Sequence, residues 1–141
     1  MNKIISFVMV GVNDLEKSSK FYDAIFVHLG LKKVKTGERM ISYAHSNDPH
    51  EVKFYITKPY NKKPATVGNG TMIALLADSK EAVDKFHATA LKNGAVDEGA
   101  PGIRSDGMFP YDGASVTLNT RKISPDTFDN KSTCCPVKSN L

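Results

Sequence analysis

The chain repeats itself at an offset of 65 positions, and no other feature limits its fold as tightly. Asn13-Asp14-Leu15-Glu16 opens one helix-like stretch with Phe21-Tyr22 following; Asp78-Ser79-Lys80-Glu81 opens another with Phe86-His87 at the matching place. The offset aligns Phe7 with Met72, Asn13 with Asp78, Glu16 with Glu81 and Phe21 with Phe86. A short apolar run precedes each stretch, over residues 4–12 and 72–77. Two copies of one supersecondary unit must stack on each other, since a solenoid needs three or more.

In the first unit, residues 4–12 are β-prone and almost wholly apolar, which predicts a strand covered on both sides. Period two places Val8, Val10 and Val12 on one face and Ile5, Phe7 and Met9 on the other. Asn13 stands three residues before Glu16, the spacing of an N-cap with a reciprocal carboxylate. Leu15, Tyr22, Ile25, Phe26 and Leu29 recur at roughly helical spacing, and Gly30 stops the helix. Strands are expected over 31–34, 40–44 and 52–57, with polar turns between them.

A connector rich in Pro, Lys, Asn and Gly spans residues 58–70. The plan then repeats: a strand over 71–77, and a helix over 79–93 with Val83, Phe86, Ala90 and Leu91 on its buried stripe. Gly94 ends that helix, and after a Gly/Pro-rich loop over 99–104 comes a strand candidate over 111–118. Residues 119–124 are the candidate last strand. The polar stretch 125–141 is expected to be a loosely held tail. The domain reading is therefore one domain over 1–124, built from units at about 1–60 and 69–124, followed by the tail. Sheets that each carry a helix on one face should pair their other faces. The predicted class is α+β, with two βαβββ modules forming a cupped, barrel-like mixed sheet and helices outside.

Composition narrows the function classes. At 141 residues the chain suits one compact domain with a real core. No apolar stretch approaches the roughly 20 residues that cross a bilayer, and no signal-like N-terminal region is present; a cytoplasmic protein with no membrane partner is expected. The net charge is +4, but the lysines are scattered and no nucleic-acid motif accompanies them, so a solvated lysine surface explains the charge. Cys134 and Cys135 are adjacent. They form neither a spaced disulfide framework nor a zinc set, and read as free thiols.

Beyond these physical readings, several segments resemble the glyoxalase/bleomycin-resistance/extradiol-dioxygenase superfamily, the vicinal oxygen chelate fold. They are Val12-Asn13-Asp14-Leu15-Glu16-Lys17-Ser18 with Phe21-Tyr22, Gly68-Asn69-Gly70-Thr71, and Val83-Asp84-Lys85-Phe86-His87 with Gly99-Ala100-Pro101-Gly102-Ile103-Arg104. The resemblance runs from residue 4 to about 111. It implies paired βαβββ modules, a cavity inside the cupped sheet and a homodimer. In metal-dependent members, His and Glu or Gln side chains on the first and last strands hold a divalent ion that chelates two neighbouring substrate oxygens.

This chain departs from that ligand pattern. The first-strand positions fall on Phe7 and Met72; a phenyl ring offers no lone pair, and a thioether is a soft donor suited to Cu(I). The fourth-strand position lies among Glu51, Lys53, Tyr55 and Thr57, expected on one face, where the Lys53 ammonium would repel a cation beside Glu51. Asn119-Thr120-Arg121-Lys122-Ile123-Ser124 replaces the last ligand strand. A divalent site usually takes three protein ligands, so no metal or other cofactor is expected. Of the histidines, His28 reads as a helix-end residue favoured by the dipole and His87 borders a buried face. His45 and His50 flank a turn closely enough to share a rim.

The expected ligand-binding residues are Phe7, Met9, Tyr55 and Met72, with Met108, Phe109 and Tyr111 from the later loop and Arg104 as an anion anchor. An apolar pocket with a few polar tips is the usual form of a small-molecule site, although Phe and Met could equally plug a filled interior. Three functions follow. The first is metal-free binding of a small, partly hydrophobic molecule. The second is a divalent-metal lyase, isomerase or dioxygenase using Glu51 with His45 or His50. The third is a relic whose remaining role is oligomerisation.

Overall fold

A computed structural model describes residues 4–66, 71–97, 100–101 and the backbone of 114–119 and 133–137. The first unit is β1 (Val8–Gly11), α1 (Leu15–Phe26), a single 3-10 turn (Val27–Leu29), then β2 (Leu31–Thr36), β3 (Met40–His45) and β4 (Asp48–Thr57). Its sheet has the order β1-β4-β3-β2. The outer pair β1 and β4 is parallel and the rest antiparallel, as a helix crossover after β1 requires. The second unit gives β5 (Met72–Ala77), α2 (Lys80–Lys92), β6 (Ala114–Asn119) and β7 (Thr133–Val137), in an antiparallel sheet of order β5-β6-β7. The architecture is α+β and mixed, and the sheet is not closed into a barrel.

The helix starts keep the repeat's offset but sit one residue later than the spacing of Asn13 and Glu16 suggests. Asp14, not Asn13, caps α1 by accepting from Lys17 N, and Ser79 caps α2 by accepting from Ala82 N. Each carboxylate or hydroxyl satisfies one orphan donor of the first turn. Asn13 is drawn off by tertiary structure: its Oδ1 accepts from Ala65 N at 2.6 Å, pinning the connector to the start of the helix. Both stops hold as read, with Gly30 at φ 69° and Gly94 at φ 95°, a conformation cheap only for glycine. At Gly30 the space is closed as well, because a Cβ there would meet His45 Nε2 at 2.8 Å.

β1 is shorter than the apolar run that predicts it. Pairing begins at Val8 opposite Phe54, and residues 4–7 carry no strand, with Ile4 93% and Ile5 70% exposed. The physical reason lies in β4, whose partner register against β3 skips Lys53, passing from Tyr43↔Phe54 to Ala44↔Val52. Such a bulge disrupts the ladder and bends the strand. The expectation of cover on both faces also fails: Val10 and Val12 are buried under α1, while Phe7 and Met9 remain 49% and 47% exposed.

One hydrophobic cluster runs through both units. Tyr22, Ile25, Phe26 and Leu29 meet Ile41, Tyr43, Phe54 and Ile56 beneath them, and Val83, Phe86 and Ala90 of α2 join the same cluster. Tyr22, Phe26, Tyr43 and Phe54 pack ring against ring, with centroids 4.9 Å apart for Phe26 and Phe54 and 5.0 Å for Phe26 and Tyr43. These edge-on contacts add about 0.5–1.5 kcal/mol each beyond area burial. α1 and α2 also touch each other, so the units join through their helices.

β7 falls inside the stretch 125–141 that sequence reads as a tail, where Thr133–Val137 pairs along β6. It is the outer strand of the described sheet, the position at which a proline such as Pro136 is tolerated because it lacks a ladder donor.

Candidate functional site

The helix-free face of the first sheet is assembled by period two. In β3, Ile41 and Tyr43 enter the core beneath α1, which turns Met40 and Ser42 to the opposite side. In β1 the same alternation turns Phe7 and Met9 that way. Met9 lies beside Tyr55 in the parallel register, and the Phe7 and Tyr55 rings meet edge-on at 5.0 Å. Three of the sequence-predicted residues, Phe7, Met9 and Tyr55, therefore come together. Met72 occupies the corresponding face of β5, 50% exposed, with Ile73, Leu75 and Ala77 turned to the core. Arg104, Met108, Phe109 and Tyr111 lie outside the described residues.

Beside Tyr55 opens a cavity of about 670 Å³. Its apolar wall is Val34, Met40, Val52, Pro49 and Tyr55, and its polar groups are Lys35, Glu38, Arg39, Ser42 and His50. Ser42 is 4% exposed, lines this cavity, and its hydroxyl has no hydrogen-bond partner among the described residues. A buried hydroxyl normally finds a partner, so this one is poised for a group that enters the cavity. The sequence pointed to Tyr55 but missed Ser42, Met40 and the β2–β3 hairpin. The alternation Met40-Ile41-Ser42-Tyr43 was the available signal.

The β4 bulge corrects the reading that Glu51, Lys53, Tyr55 and Thr57 share one face. Val52 stands opposite Ala44 and lines the cavity with Tyr55, whereas Glu51 and Lys53 do not. Glu51 Oε1 is instead paired with Lys53 Nζ at 2.6 Å. His45 packs against Gly30 while His50 lines the cavity, so the two do not share a rim. Among the described residues no three His, Cys, Asp or Glu side chains gather as a metal-binding group. Three of the family's ligand positions hold a phenyl ring, a thioether and a carboxylate paired with an ammonium, groups that do not fit a divalent ion; the fourth, within 119–124, falls almost wholly outside the described residues.

On the helix side a polar network was not foreseen. The fully buried Tyr43 donates its hydroxyl to Asp23 Oδ1 at 3.0 Å, and Lys33 Nζ holds Asp23 Oδ2 at 2.7 Å. Burial is the main cause that pushes the Tyr43 phenol far above its ordinary value; Tyr22 is raised by burial alone. Both phenols stay protonated and serve packing. His28 also departs from its sequence reading. Burial, with Lys85 nearby, holds it below the ordinary 6.5, and its Nε2 meets Thr89 Oγ1 at 2.9 Å as a link between the helices.

The comparisons with known proteins follow this geometry. The family model described as "Glyoxalase/Bleomycin resistance protein/Dioxygenase superfamily" matches residues 4–112. A glyoxalase/bleomycin resistance protein from Albidiferax ferrireducens T118 shares 32% identity over 96% of this chain and 99% of its own, with a TM-score of 0.66. A hypothetical protein from S. aureus, 20% identical over 98% of this chain and 95% of its own, reaches a TM-score of 0.56 and shares the fold. No curated protein matches.

Proposed function

This chain belongs to the glyoxalase/bleomycin resistance protein/dioxygenase superfamily, and from that premise we propose that it binds a small, partly hydrophobic molecule in the helix-free cavity of its first sheet without a metal ion. The observation that carries this reading is Ser42, a buried hydroxyl without a partner among the described residues, set in a largely apolar wall. Such a lining takes an apolar body and fixes its orientation through one hydrogen bond. Tyr55 supplies an aromatic face, itself braced by Phe7, and Arg39, Lys35 and His50 at the cavity favour a ligand with a polar or anionic end. The half-exposed Phe7, Met9 and Met72 are the contact surface of a homodimer that completes the cup. No helix among the described residues is long and apolar enough to cross a membrane.

The test is a ligand-observed NMR screen of small aromatic and amphiphilic compounds, run beside elemental analysis of the purified protein. Hits should be lost in Tyr55→Ala and weakened about tenfold in Ser42→Ala, the effect of one buried hydrogen bond. Hits that survive Tyr55→Ala would defeat the site. Stoichiometric Ni, Zn, Fe or Mn retained through dialysis would defeat the metal-free reading.

A further inference from the structure

The connector after β4 builds a second concavity at the end of the first sheet. Arg39, Lys58, Lys62 and Lys63 surround a cavity of about 430 Å³ whose remaining wall is Val12, Asn13, Pro59 and Pro64. No carboxylate lines it. Lys58, Lys62 and Lys63 have no ion pair among the described residues, and here they stand together around one concavity with Arg39. Gathering four like charges without a counter-charge costs self-repulsion that an anion would relieve.

The loop that presents these cations is firmly built. Ala65 is 4% exposed and is clamped by Asn13 through its N–H at 2.6 Å and its carbonyl at 3.5 Å. Lys62 N donates to Pro59 O at 3.1 Å, and Lys63 N donates to Asn61 Oδ1 at 3.0 Å. Lys62 sits at φ 61°, a left-handed conformation disfavoured for a residue with a Cβ and one that the loop nonetheless imposes on a lysine. Arg39 is fixed from the other side by donating to Pro59 O at 3.0 Å, its guanidinium lying 5.7 Å from the Tyr60 ring centroid. The backbone that carries the lysines and the Arg39 guanidinium are thus held in place around the concavity.

We propose that this basic cavity, which adjoins the helix-free cavity and shares Arg39 with it, is a binding site for a small phosphate-bearing anion. Lysine ammoniums bind phosphate oxygens as adaptable point charges, and the volume suits a phosphate ester or pyrophosphate rather than an extended polymer. Its second preference, free phosphate against a lipid headgroup, is separable by experiment.

Calorimetric titration of the full chain with inorganic pyrophosphate at low salt is the direct test. Saturable binding that weakens with added salt is expected, reduced about tenfold in Lys58→Ala and in Lys62→Gly and unchanged in the distant Lys92→Ala. Lys62→Gly removes the charge while relieving the left-handed strain, so its unfolding midpoint should not fall and its lost binding cannot be ascribed to misfolding. Binding that fails to saturate by about 10 mM, an equal loss in Lys92→Ala, or binding confined to phosphatidylserine vesicles would each overturn the assignment.

Discussion

At equivalent positions of the repeat, the first helix carries large side chains where the second carries small or polar ones. Ile25 and Tyr22 correspond to Ala90 and His87, all four buried, so at these two places the difference is volume; the buried Phe26 corresponds to Leu91, which is only partly buried, so there it is also placement. The first helix closes on its own sheet through four stacked rings. The second contributes Val83, Phe86 and Ala90 to that same cluster and so leans on its neighbour. Duplicated units need not share the load equally once they pack together, because one dense core can serve both.

The asymmetry can be broken most directly by truncating its centre. Phe26→Ala should cost about 3–5 kcal/mol in denaturant unfolding, whereas Leu91→Ala at the matching place should cost about 1 kcal/mol, as a half-buried leucine does. Equal losses would show that the second unit has a core of its own. The glycine stops give the next contrast. Gly94→Ala and Gly30→Ala should each lose about 1–2 kcal/mol for their left-handed backbone, with Gly30→Ala also displacing the tip of the His45 ring.

A subtler comparison sharpens the role of the connector. Asn13→Ala unties Ala65 and should cost about 1 kcal/mol, while Asp78→Ala, at the exposed equivalent position, should stay within about 0.5 kcal/mol. Thermal unfolding of the two variants side by side decides it. The smallest effect is pH-dependent. Because the folded protein holds His28 below its ordinary 6.5, the unfolded chain binds more protons, and the associated stability is complete above 6.5 and declines as the pH falls below it. His28→Gln should flatten that decline slightly; an unchanged pH profile would remove His28 from the helix–helix contact.

Much of this was legible along the chain. The offset of the two helix starts, the buried Phe21 and Phe86 and the glycine stops are local, since capping geometry and 3.6-residue periodicity depend on neighbours in sequence. That Phe7, Met9 and Tyr55 come together on one face was legible because alternation in a strand is equally local. Ser42 was missed because its significance lies in burial without a partner, which only the surrounding structure creates. Lys53 was correctly placed beside Glu51, but Tyr55 was wrongly grouped with them, because one skipped residue in β4 changes which side chains face the cavity.

Sequence by itself determined the repeat and its offset, the glycines that stop the helices, and most of the apolar stripe each helix buries. Tertiary structure decided that Asn13 would hold the connector instead of a helix, that His45 and His50 would part, and that residues 133–137 would extend a sheet. These choices depend on contacts between residues far apart in the chain, and their free energies are settled by the assembled packing rather than by any short stretch of sequence.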